Sequence, residues 1–584
     1  MLHAYPRPAF ARPQWTNLNG AWRFAFDDGN QGLKQRWYEE FPQGLTIQVP
    51  YTYETRMSGI GEEAFHPVIW YERLVDIPPV SGRMLLHFEG VDYEAAVYVN
   101  GAYAGGHQGG YAAFSLDITP FVQPGQNKVT VRVQDSDSVM LPRGKQRWKK
   151  ENFGCWYVQT TGIWKTVWLE AVPDCYLDHV KITPDIDTGT VLLVAKLAGD
   201  APADGLRLVC EVSFQGKGVA RQEMAVPGDQ LAFSLQLSGH NPPWDLQLWH
   251  PDHPHLYDVT FSLVDDGGVR DTVSSYVGMR KIEIVGDQVL LNNLPIYQRL
   301  ILDQGYWPDS HMTPPDDRAY EKDLDLILAA GYNGLRKHQK TEDRRFLYLC
   351  DKKGLLVWSE MAAQYTFNDQ AMALFTREWL EVVAQNYNHP SVIVWTPFNE
   401  SWGIGEVFTN RAQQDFTRAV YHITKAYDGM RPVIVNDGWE HTVSDILTLH
   451  DYEEDAGRFA ARYRDLPALL NNQAPYNLHK YAMARGFAYR GQPVIVSEYG
   501  GIAMQDESGW GYGNQVADEA AFLKRFEAIT GAIQDIPGIV GYCYTQVSDV
   551  QQEVNGLFTP ERQPKVDVQA LRAVNTKRTE GSTR

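Results

Sequence analysis

The 584-residue chain is too long for a single hydrophobic core, and its 44% hydrophobic content is enough for two to four globular domains. Its 72 acidic and 53 basic residues give a net charge of −19, which disfavours nucleic acid and anionic membrane surfaces as partners. No run of about 18 uninterrupted apolar residues occurs, and the N-terminal segment MLHAYPRPAF lacks the apolar stretch of a signal peptide. We therefore expect a cytoplasmic protein with reduced cysteines and with neither a nucleic-acid nor a membrane partner.

Short alternating segments, separated by Gly, Pro and Asn, fill the first half of the chain. Within residues 1–175 they include RMLLHFEG and NKVTVRVQDS, and this period-two pattern predicts an antiparallel β-sandwich. Residues 176–282 repeat the pattern on a smaller scale, for example in HVKITPDI and LYDVTFSLV. That repetition is typical of a second, immunoglobulin-like β-sandwich.

In residues 283–575, apolar strand-like runs alternate with long helical stretches, as a parallel sheet with helical crossovers requires. One stretch, TPPDDRAYEKDLDLILAAG, predicts a helix with Thr313 as its N-cap and Gly331 at its end. Eight strand and helix units predict a (β/α)8 TIM barrel. A polar tail, residues 576–584, is expected to be disordered. The eight runs begin at Pro295, Tyr332, Leu355, Ser391, Pro432, Asp445, Pro493 and Gly538.

Two of these runs end in glutamate, at the edge where such a barrel builds its active site. The fourth ends in WTPFNE with Glu400, and the seventh in VIVSEYG with Glu498. Glycoside hydrolysis needs two carboxyl groups, one to protonate the leaving oxygen and one to attack the sugar or activate water. Either glutamate alone is as well explained by a structural hydrogen bond, but the pair predicts a glycosidase site. We expect Glu400 to be the acid, with a pKa raised by apolar surroundings or by the charge of Glu498.

Several longer stretches resemble glycoside hydrolase family 2. WTNLNGAWRF, GVDYEAAVYVNGAYAGGHQGGYAAFSLDIT and TTGIWKTVWLE are similar to its sugar-binding jelly roll, and the segment that follows resembles its immunoglobulin-like domain. Asn399 and Glu400 match its acid/base motif, and SEYG matches its nucleophile motif. The resemblance implies a jelly roll, an immunoglobulin-like sandwich and a TIM barrel. It also implies a retaining mechanism on an oligosaccharide or glycoside, with Glu400 as acid/base and Glu498 as nucleophile and with no cofactor.

The resemblance also implies substrate-binding roles at three positions. Asn399 is similar to the asparagine that binds the sugar 2-hydroxyl, Tyr452 to a tyrosine that touches the nucleophile, and Arg336 to an arginine that supports the nucleophile. Further side chains at run ends are candidates for lining the pocket, although a lone histidine there is as often a structural group. These candidates are Asp303, His338, Trp402, His450, Tyr544 and Gln546.

Three departures from the family pattern bear on specificity. The arginine continues as Arg336-Lys-His-Gln-Lys where many relatives have Ser-His-Tyr-Pro, so the sugar pocket is expected to be partly rebuilt. Gln364 and Thr366 stand where some β-galactosidases hold magnesium, and neutral oxygens of this kind would hold the ion poorly. We therefore predict no metal at the catalytic site.

The third departure concerns the sugar carboxylate. Glu553 and Asn555 replace the Asn-X-Lys clamp that β-glucuronidases use, and a glutamate facing a uronate would repel it. Lys337, Lys340 or Arg299 could supply another clamp.

The sequence thus predicts an exo-acting retaining β-glycosidase, with β-galactosidase as the first hypothesis. β-Glucuronidase, β-galacturonidase and β-mannosidase activities of the same mechanism remain alternatives, as does transfer of the sugar to an acceptor other than water. A non-catalytic carbohydrate-binding protein is the alternative from another class. The sequence leaves the oligomeric state open, a homo-oligomer included.

Overall fold

Alternating buried and exposed side chains build the N-terminal sandwich, as β7 (Glu94–Val99) illustrates. The computed structural model describes residues 2–79, 81–202, 205–239, 241–477, 479–505 and 508–577. In it, the first domain has one sheet of four strands, one of six, and a short two-stranded ladder. The strands β1 to β12 are Trp15–Asn17, Gly20–Phe26, Leu45–Val49, Val68–Ile77, Arg83–Phe88, Val91–Asp92, Glu94–Val99, Ala102–Gln108, Phe114–Asp117, Gly125–Gln134, Gly162–Ile163 and Val167–Val172.

The second domain is a smaller sandwich with sheets in the order β13-β14-β17 and β16-β15-β20-β21. Its inward-facing side chains form a separate core that includes Leu193, Cys210 and Phe261. The strands β13 to β21 are Cys175–Asp185, Thr190–Gly199, Arg207–Phe214, Lys217–Ala225, Gln230–Gln236, Trp249–His250, His253–Pro254, Tyr257–Asp265 and Gly268–Val277.

A small antiparallel sheet leads from this sandwich into the barrel. Ile282 and Leu291 from it pack with the barrel-interior residues Leu300 and Trp358 in one buried cluster, which closes the end of the barrel opposite the strand C-termini. Its strands β22 to β24 are Ile282–Val285, Gln288–Leu291 and Leu294–Pro295.

The third domain is a TIM barrel whose parallel sheet runs β28-β27-β26-β25-β33-β32-β31, with β29 and β30 paired beside it. Apart from Arg299 in β25, the strand residues are buried, because helices cover the outside and side chains fill the inside. The fifth predicted run gives only the two residues of β30, preceded by a bridge between Trp395 and Val433. The strands β25 to β33 are Gln298–Asp303, Gly334–Lys337, Leu356–Glu360, Val392–Thr396, Phe398–Asn399, Asn436–Asp437, Leu447–His450, Val494–Gly500 and Ile539–Thr545.

Helices surround the barrel, and the first of them begins later than the sequence predicts. It starts at Ala319, because the Thr313 hydroxyl donates to the backbone oxygen of Trp164 at 2.6 Å and thereby ties the preceding turn to the first sandwich. The helices α1 to α8 are Ala319–Ala329, Arg344–Lys353, Asp369–Asn386, Arg411–Tyr427, Ala456–Arg462, Leu466–Leu470, Glu519–Asp535 and Val568–Thr576.

The predicted tail of residues 576–584 begins one residue too early, since Thr576 ends α8, and residues 578–584 lie outside the described part of the chain. Among the described residues, no helix is both long enough and apolar enough to cross a membrane.

The first sandwich reaches the C-terminal edge of the barrel through residues 143–160, here called the mouth loop. The amides of Arg143 and Gly144 both donate to the backbone oxygen of Ala363 at 3.0 Å. Further along, the Asn152 amide donates to Gln551 at 2.6 Å. One wall of the barrel mouth is therefore made by another domain.

Candidate active site

Two glutamates from different strands meet at the C-terminal edge of the barrel. Glu400 directly follows β29 and Glu498 lies in β32, and a carboxylate oxygen of one lies within 4.8 Å of a carboxylate oxygen of the other. Their side chains are 18% and 5% exposed, respectively. The separation is near the roughly 5 to 5.5 Å of retaining glycosidases and below the roughly 6.5 to 9.5 Å at which inverting ones accommodate a water.

The backbone at Glu400 has a conformation that non-glycine residues rarely adopt. The φ angle is +53° at Glu400 and +59° at Ser401, and each such residue costs on the order of 1–3 kcal/mol. The Glu400 amide donates to the backbone oxygen of Asp437 at 2.9 Å, and the Ser401 amide donates to the Asn436 side chain at 2.9 Å. These bonds hold the turn that carries the carboxyl group.

Arg336 links Glu498 to two other carboxylates of the site. Its fully buried guanidinium lies 3.2 Å from Glu498 and 2.7 Å from both Glu360 and Asp437. Burial would lower the pKa of Arg336, but these three carboxylates outweigh it and raise the pKa. A permanent cation with a planar fork of donors can fix several carboxylates at once, and here it orients Glu498.

His450 lies between the two glutamates. Its Nδ1 is 2.9 Å from Glu400 and 3.4 Å from Glu498, and its Nε2 is 2.9 Å from Asp437. Burial would lower the pKa of His450, but the charges of Glu498 and Asp437 outweigh it and raise the pKa to about 10. His450 is therefore a buried cation at neutral pH.

The pKa of Glu400 is shifted in the direction opposite to the predicted one. Burial raises it, as expected, but the hydrogen bond and charge of His450 outweigh burial and hold the pKa below its ordinary value. The prediction of a raised pKa is wrong for the protein alone, because it did not include the charge of His450 beside this carboxyl. The protonated imidazole of His450 lies one hydrogen bond of 2.9 Å from Glu400. The two groups hold this proton as a coupled pair.

Tyr452 touches the other carboxylate. Its hydroxyl donates to Glu498, and lies 3.1 Å from the Thr545 hydroxyl. Burial and the charge of Glu498 raise the pKa of Tyr452, so the phenol stays neutral and remains a donor. Tyr512 stacks on it with ring centroids 3.4 Å apart.

Asn399 has a free donor in the site. Its side-chain oxygen accepts from Arg336 at 3.1 Å, which sets the orientation of the amide. Its buried nitrogen has no hydrogen-bond partner among the described residues. That N–H is available to a ligand oxygen, in keeping with the sugar-binding role that the resemblance implies.

Two buried carboxylates that the sequence analysis did not single out complete the site. Glu360, the last residue of β27, binds Arg336 and also lies 2.9 Å from Nδ1 of His338. Asp437, in β30, binds Arg336 and His450. Glu360 ends its apolar run in the same way as the two glutamates do, so the same signal would have found it.

Two other candidates differ from their predicted role. Asp303 accepts from Lys337 and from the amide of Gly305, each at 2.8 Å, and is thus engaged in structural bonds. Tyr544 is fully buried among the helix-facing rings of Tyr499 and Phe526, so its predicted contact with substrate is wrong. The two faces of this buried strand are both apolar, and its sequence could not tell which one points inward.

A rim of half-buried aromatic rings surrounds the mouth, and Trp402 belongs to it. Trp402 lies 5.2 Å from Trp156 of the mouth loop and 5.6 Å from Tyr365, measured between ring centroids. Trp148 stacks on Tyr365 at 4.3 Å. Because sequence patterns do not show which loop of one domain meets another, only Trp402 of these rings was predicted.

Comparisons with known proteins agree with this architecture. Residues 15–173 match the family model "Glycosyl hydrolases family 2, sugar binding domain", residues 175–280 match "Glycosyl hydrolases family 2", and residues 282–578 match the TIM barrel domain of the same family. The chain belongs to glycoside hydrolase family 2.

Individual relatives in this family differ in their named substrate. The chain is 24% identical to a β-glucuronidase of Paenibacillus borealis over 97% of its own length and 98% of the relative's. It is 26% identical to a β-galactosidase of Thermoanaerobacter pseudethanolicus over 75% of its own length. It also matches the fold of a β-galacturonidase from Eisenbergiella tayi, with a TM-score of 0.76 at 20% identity over 98% of both chains. The chain spans only 56% of the Thermoanaerobacter protein and 47% of a Formosa agariphila relative.

The absence of a metal ion from the catalytic site stays a prediction. Within the described residues, Glu400, His450 and Glu498 are the group whose ligand atoms lie close enough together to hold an ion. Within this group, His450 is already held between the carboxylates of Glu400 and Asp437. Both side-chain polar atoms of Gln364 are buried without a hydrogen-bond partner among the described residues.

The His450–Glu400 pair leads to a prediction on pH dependence. Because the raised pKa of His450 keeps a proton in the site up to about pH 10, we expect kcat/KM to fall on the alkaline side only as the pH nears that value. In His450→Asn the only proton store left is Glu400, so the alkaline limb should move to lower pH and kcat/KM at neutral pH should fall about 10²-fold. Initial rates between pH 5 and 11 on an aryl glycoside measure both effects.

An alkaline limb that is the same in both proteins would contradict this role of His450.

The raised pKa of His450 also affects the stability of the folded protein. A pKa raised from 6.5 to about 10 contributes stability that is complete below the ordinary value and is lost as the pH rises through about 10.

Proposed function

We propose that the protein is an exo-acting retaining β-glycosidase that releases a terminal sugar by double displacement. The observation that carries the proposal is the approach of the Glu400 and Glu498 carboxylates to within 4.8 Å at the C-terminal edge of the barrel. Inverting enzymes hold their carboxyl groups roughly 6.5 to 9.5 Å apart to accommodate a water, so an approach this close favours the retaining mechanism.

Each group has a contact that suits its part in the reaction. Glu498 is held by Arg336 and accepts from Tyr452, and these contacts orient its carboxylate for attack on the anomeric carbon. Glu400 receives a proton from His450 and passes it to the leaving oxygen. In the second step Glu400 acts as the base, removes a proton from water, and the water displaces Glu498.

For the sugar we keep β-galactoside as the first hypothesis, with β-glucuronide, β-galacturonide and β-mannoside as alternatives. The names of the relatives in Paenibacillus and Eisenbergiella favour a uronide, whereas that of the Thermoanaerobacter protein favours a galactoside. The family's carboxylate clamp is absent, since Glu553 and Asn555 take its place. This absence is the reason for testing the neutral sugar first.

A panel of 4-nitrophenyl β-glycosides of galactose, glucose, mannose, glucuronic acid and galacturonic acid tests the proposal. We expect turnover of at least one of them, and proton NMR during the first minutes should show the β-anomer of the free sugar. An α-anomer as first product would contradict double displacement. No turnover of any substrate in the panel, together with binding of a sugar, would favour the non-catalytic carbohydrate-binding alternative.

A further inference from the structure

A buried pair of opposite charges lies beside the catalytic carboxylates, and the double displacement does not use it. Lys145 comes from the mouth loop and is 7% exposed, and Glu553 comes from the segment after β33 and is 2% exposed. They belong to different domains, and Tyr157 joins them: its amide donates to the backbone oxygen of Lys145 at 2.8 Å, and its hydroxyl donates to Glu553.

Three other cations that could replace the clamp are already engaged. Lys337 is paired with Asp303 at 2.8 Å and with Glu342 at 2.7 Å. Lys340 is paired with Glu342 at 2.8 Å. The Arg299 guanidinium donates to the backbone oxygen of Gly331 at 3.1 Å, at the start of its strand and away from the mouth.

Lys145 differs from them. No carboxylate of the described residues lies within 4.0 Å of its ammonium group. Burial would lower the pKa of Lys145, but the Cys155 thiol, Glu553, Tyr365 and Glu400 outweigh burial and raise the pKa. The ammonium hydrogen-bonds the Cys155 side chain. An ammonium has three donors, so the other two can serve a ligand.

Glu553 is firmly held and keeps free acceptor capacity. One oxygen accepts from the Tyr157 hydroxyl at 2.5 Å and the other from the Asn555 amide at 3.2 Å. A carboxylate can accept about four hydrogen bonds, so about two remain for a ligand. Asn555 in turn accepts from Gln546 at 2.8 Å, and Gln546 directly follows Thr545.

That chain of contacts ends at the nucleophile. The Thr545 hydroxyl lies 3.1 Å from that of Tyr452, which donates to Glu498. Tyr512, stacked on Tyr452, feels the charges of Glu553, Glu400 and Glu498, which together with burial raise its pKa. Glu553 therefore lies on the same recess as the catalytic pair.

We propose that Lys145 and Glu553 together bind a hydroxyl group of the terminal sugar, and that this pair selects neutral sugars over uronic acids. This inference rests on the proposed function. A hydroxyl both accepts, here from the ammonium, and donates, here to the carboxylate. A uronate carboxylate only accepts, and Glu553 would repel it. The chain thus has a neutral-sugar pocket although several of its relatives are named for uronides.

The test compares kcat/KM on the same panel for wild type, Lys145→Met and Glu553→Gln. In wild type we expect the best neutral glycoside to exceed both uronides by about 100-fold or more, a ratio that one unpaired polar contact can produce. Lys145→Met and Glu553→Gln should each lower kcat/KM on the neutral sugar by about 10- to 100-fold. Glu553→Gln should also raise kcat/KM on uronides relative to the neutral sugar, because the repelling charge is gone.

Two neighbours in the mouth loop serve as matched controls. Lys150 and Glu151 are exposed, so Lys150→Met and Glu151→Gln should leave both rates unchanged. Calorimetric titration of methyl β-galactoside, or of the methyl glycoside of whichever neutral sugar turns over, into Glu498→Gln with and without Lys145→Met measures sugar binding apart from turnover. Thermal unfolding of each variant identifies a loss that is due to misfolding.

The outcomes separate the inference from the function. If uronides are the best substrates and Lys145→Met abolishes their turnover, the inference is overturned, Lys145 binds a carboxylate, and the proposed function stands. If both variants match their controls on every substrate, the inference is likewise overturned. If no glycoside turns over in wild type although the protein is folded, it is the proposed function that fails.

Discussion

Glu498→Ala is expected to lose about 10⁴-fold or more in kcat on every glycoside, because no covalent intermediate can form without the attacking carboxylate. Because Glu498 is buried and paired with Arg336, its removal should also lower stability, so folding has to be measured beside the rate. Steady-state rates and thermal unfolding of the same preparation measure both quantities. Removal of the exposed carboxylate in Glu527→Ala, on α7, is the matched control and should change neither.

A small anion should partly restore the activity of Glu498→Ala. Azide or formate can occupy the vacated space and attack the anomeric carbon on the face that Glu498 faces. With azide, the product should be the α-glycosyl azide, because a single displacement inverts the configuration. A β-glycosyl azide, or equal restoration in wild type, would show that Glu498 is not the nucleophile.

Glu400→Ala is expected to separate substrates by their leaving group. Glycosides of poor leaving groups such as an alkyl alcohol should lose about 10²- to 10⁴-fold in kcat/KM, the range of general acid catalysis. 2,4-Dinitrophenyl glycosides need no proton, so their first step should be nearly unchanged and the intermediate should accumulate as a burst. Rapid-mixing measurements on both substrates reveal the difference.

An equal loss on both substrate classes would count against Glu400 as the acid. His450→Asn offers a comparison within the same pair: it should show a weaker form of the same dependence, since it removes the proton store and leaves the carboxyl group in place.

The sequence was sufficient to predict the three domains in their order along the chain and the two glutamates, because each of these depends on local patterns. Period-two alternation marks the sandwiches, and a carboxylate at the end of an apolar run marks the barrel edge. The same rule applied to Glu360 would have added a third member of the site. The sequence pattern did not reveal that the fifth barrel strand is short: only Asn436 and Asp437 form regular strand structure there.

What the sequence could not supply depends on contacts between distant segments. The direction of the pKa shift of Glu400 follows from His450, 50 positions away, and no pattern links the two. The outward direction of Tyr544 depends on the phase of a strand that is buried on both faces. Lys145 lies in an irregular loop of another domain, so nothing in its neighbourhood indicated that it approaches the catalytic recess.

The mouth loop is synthesised long before the glutamates whose recess it lines. Its residues, 143–160, emerge early in synthesis, whereas both carboxylates follow residue 399 and the stacking partner Tyr512 follows later still. A fragment that starts at the barrel would carry the reacting groups with one side open to water, and one that stops short of β33 would lack the support beneath Tyr452. The complete recess therefore forms only when a loop of the first domain and the last barrel strand have come together.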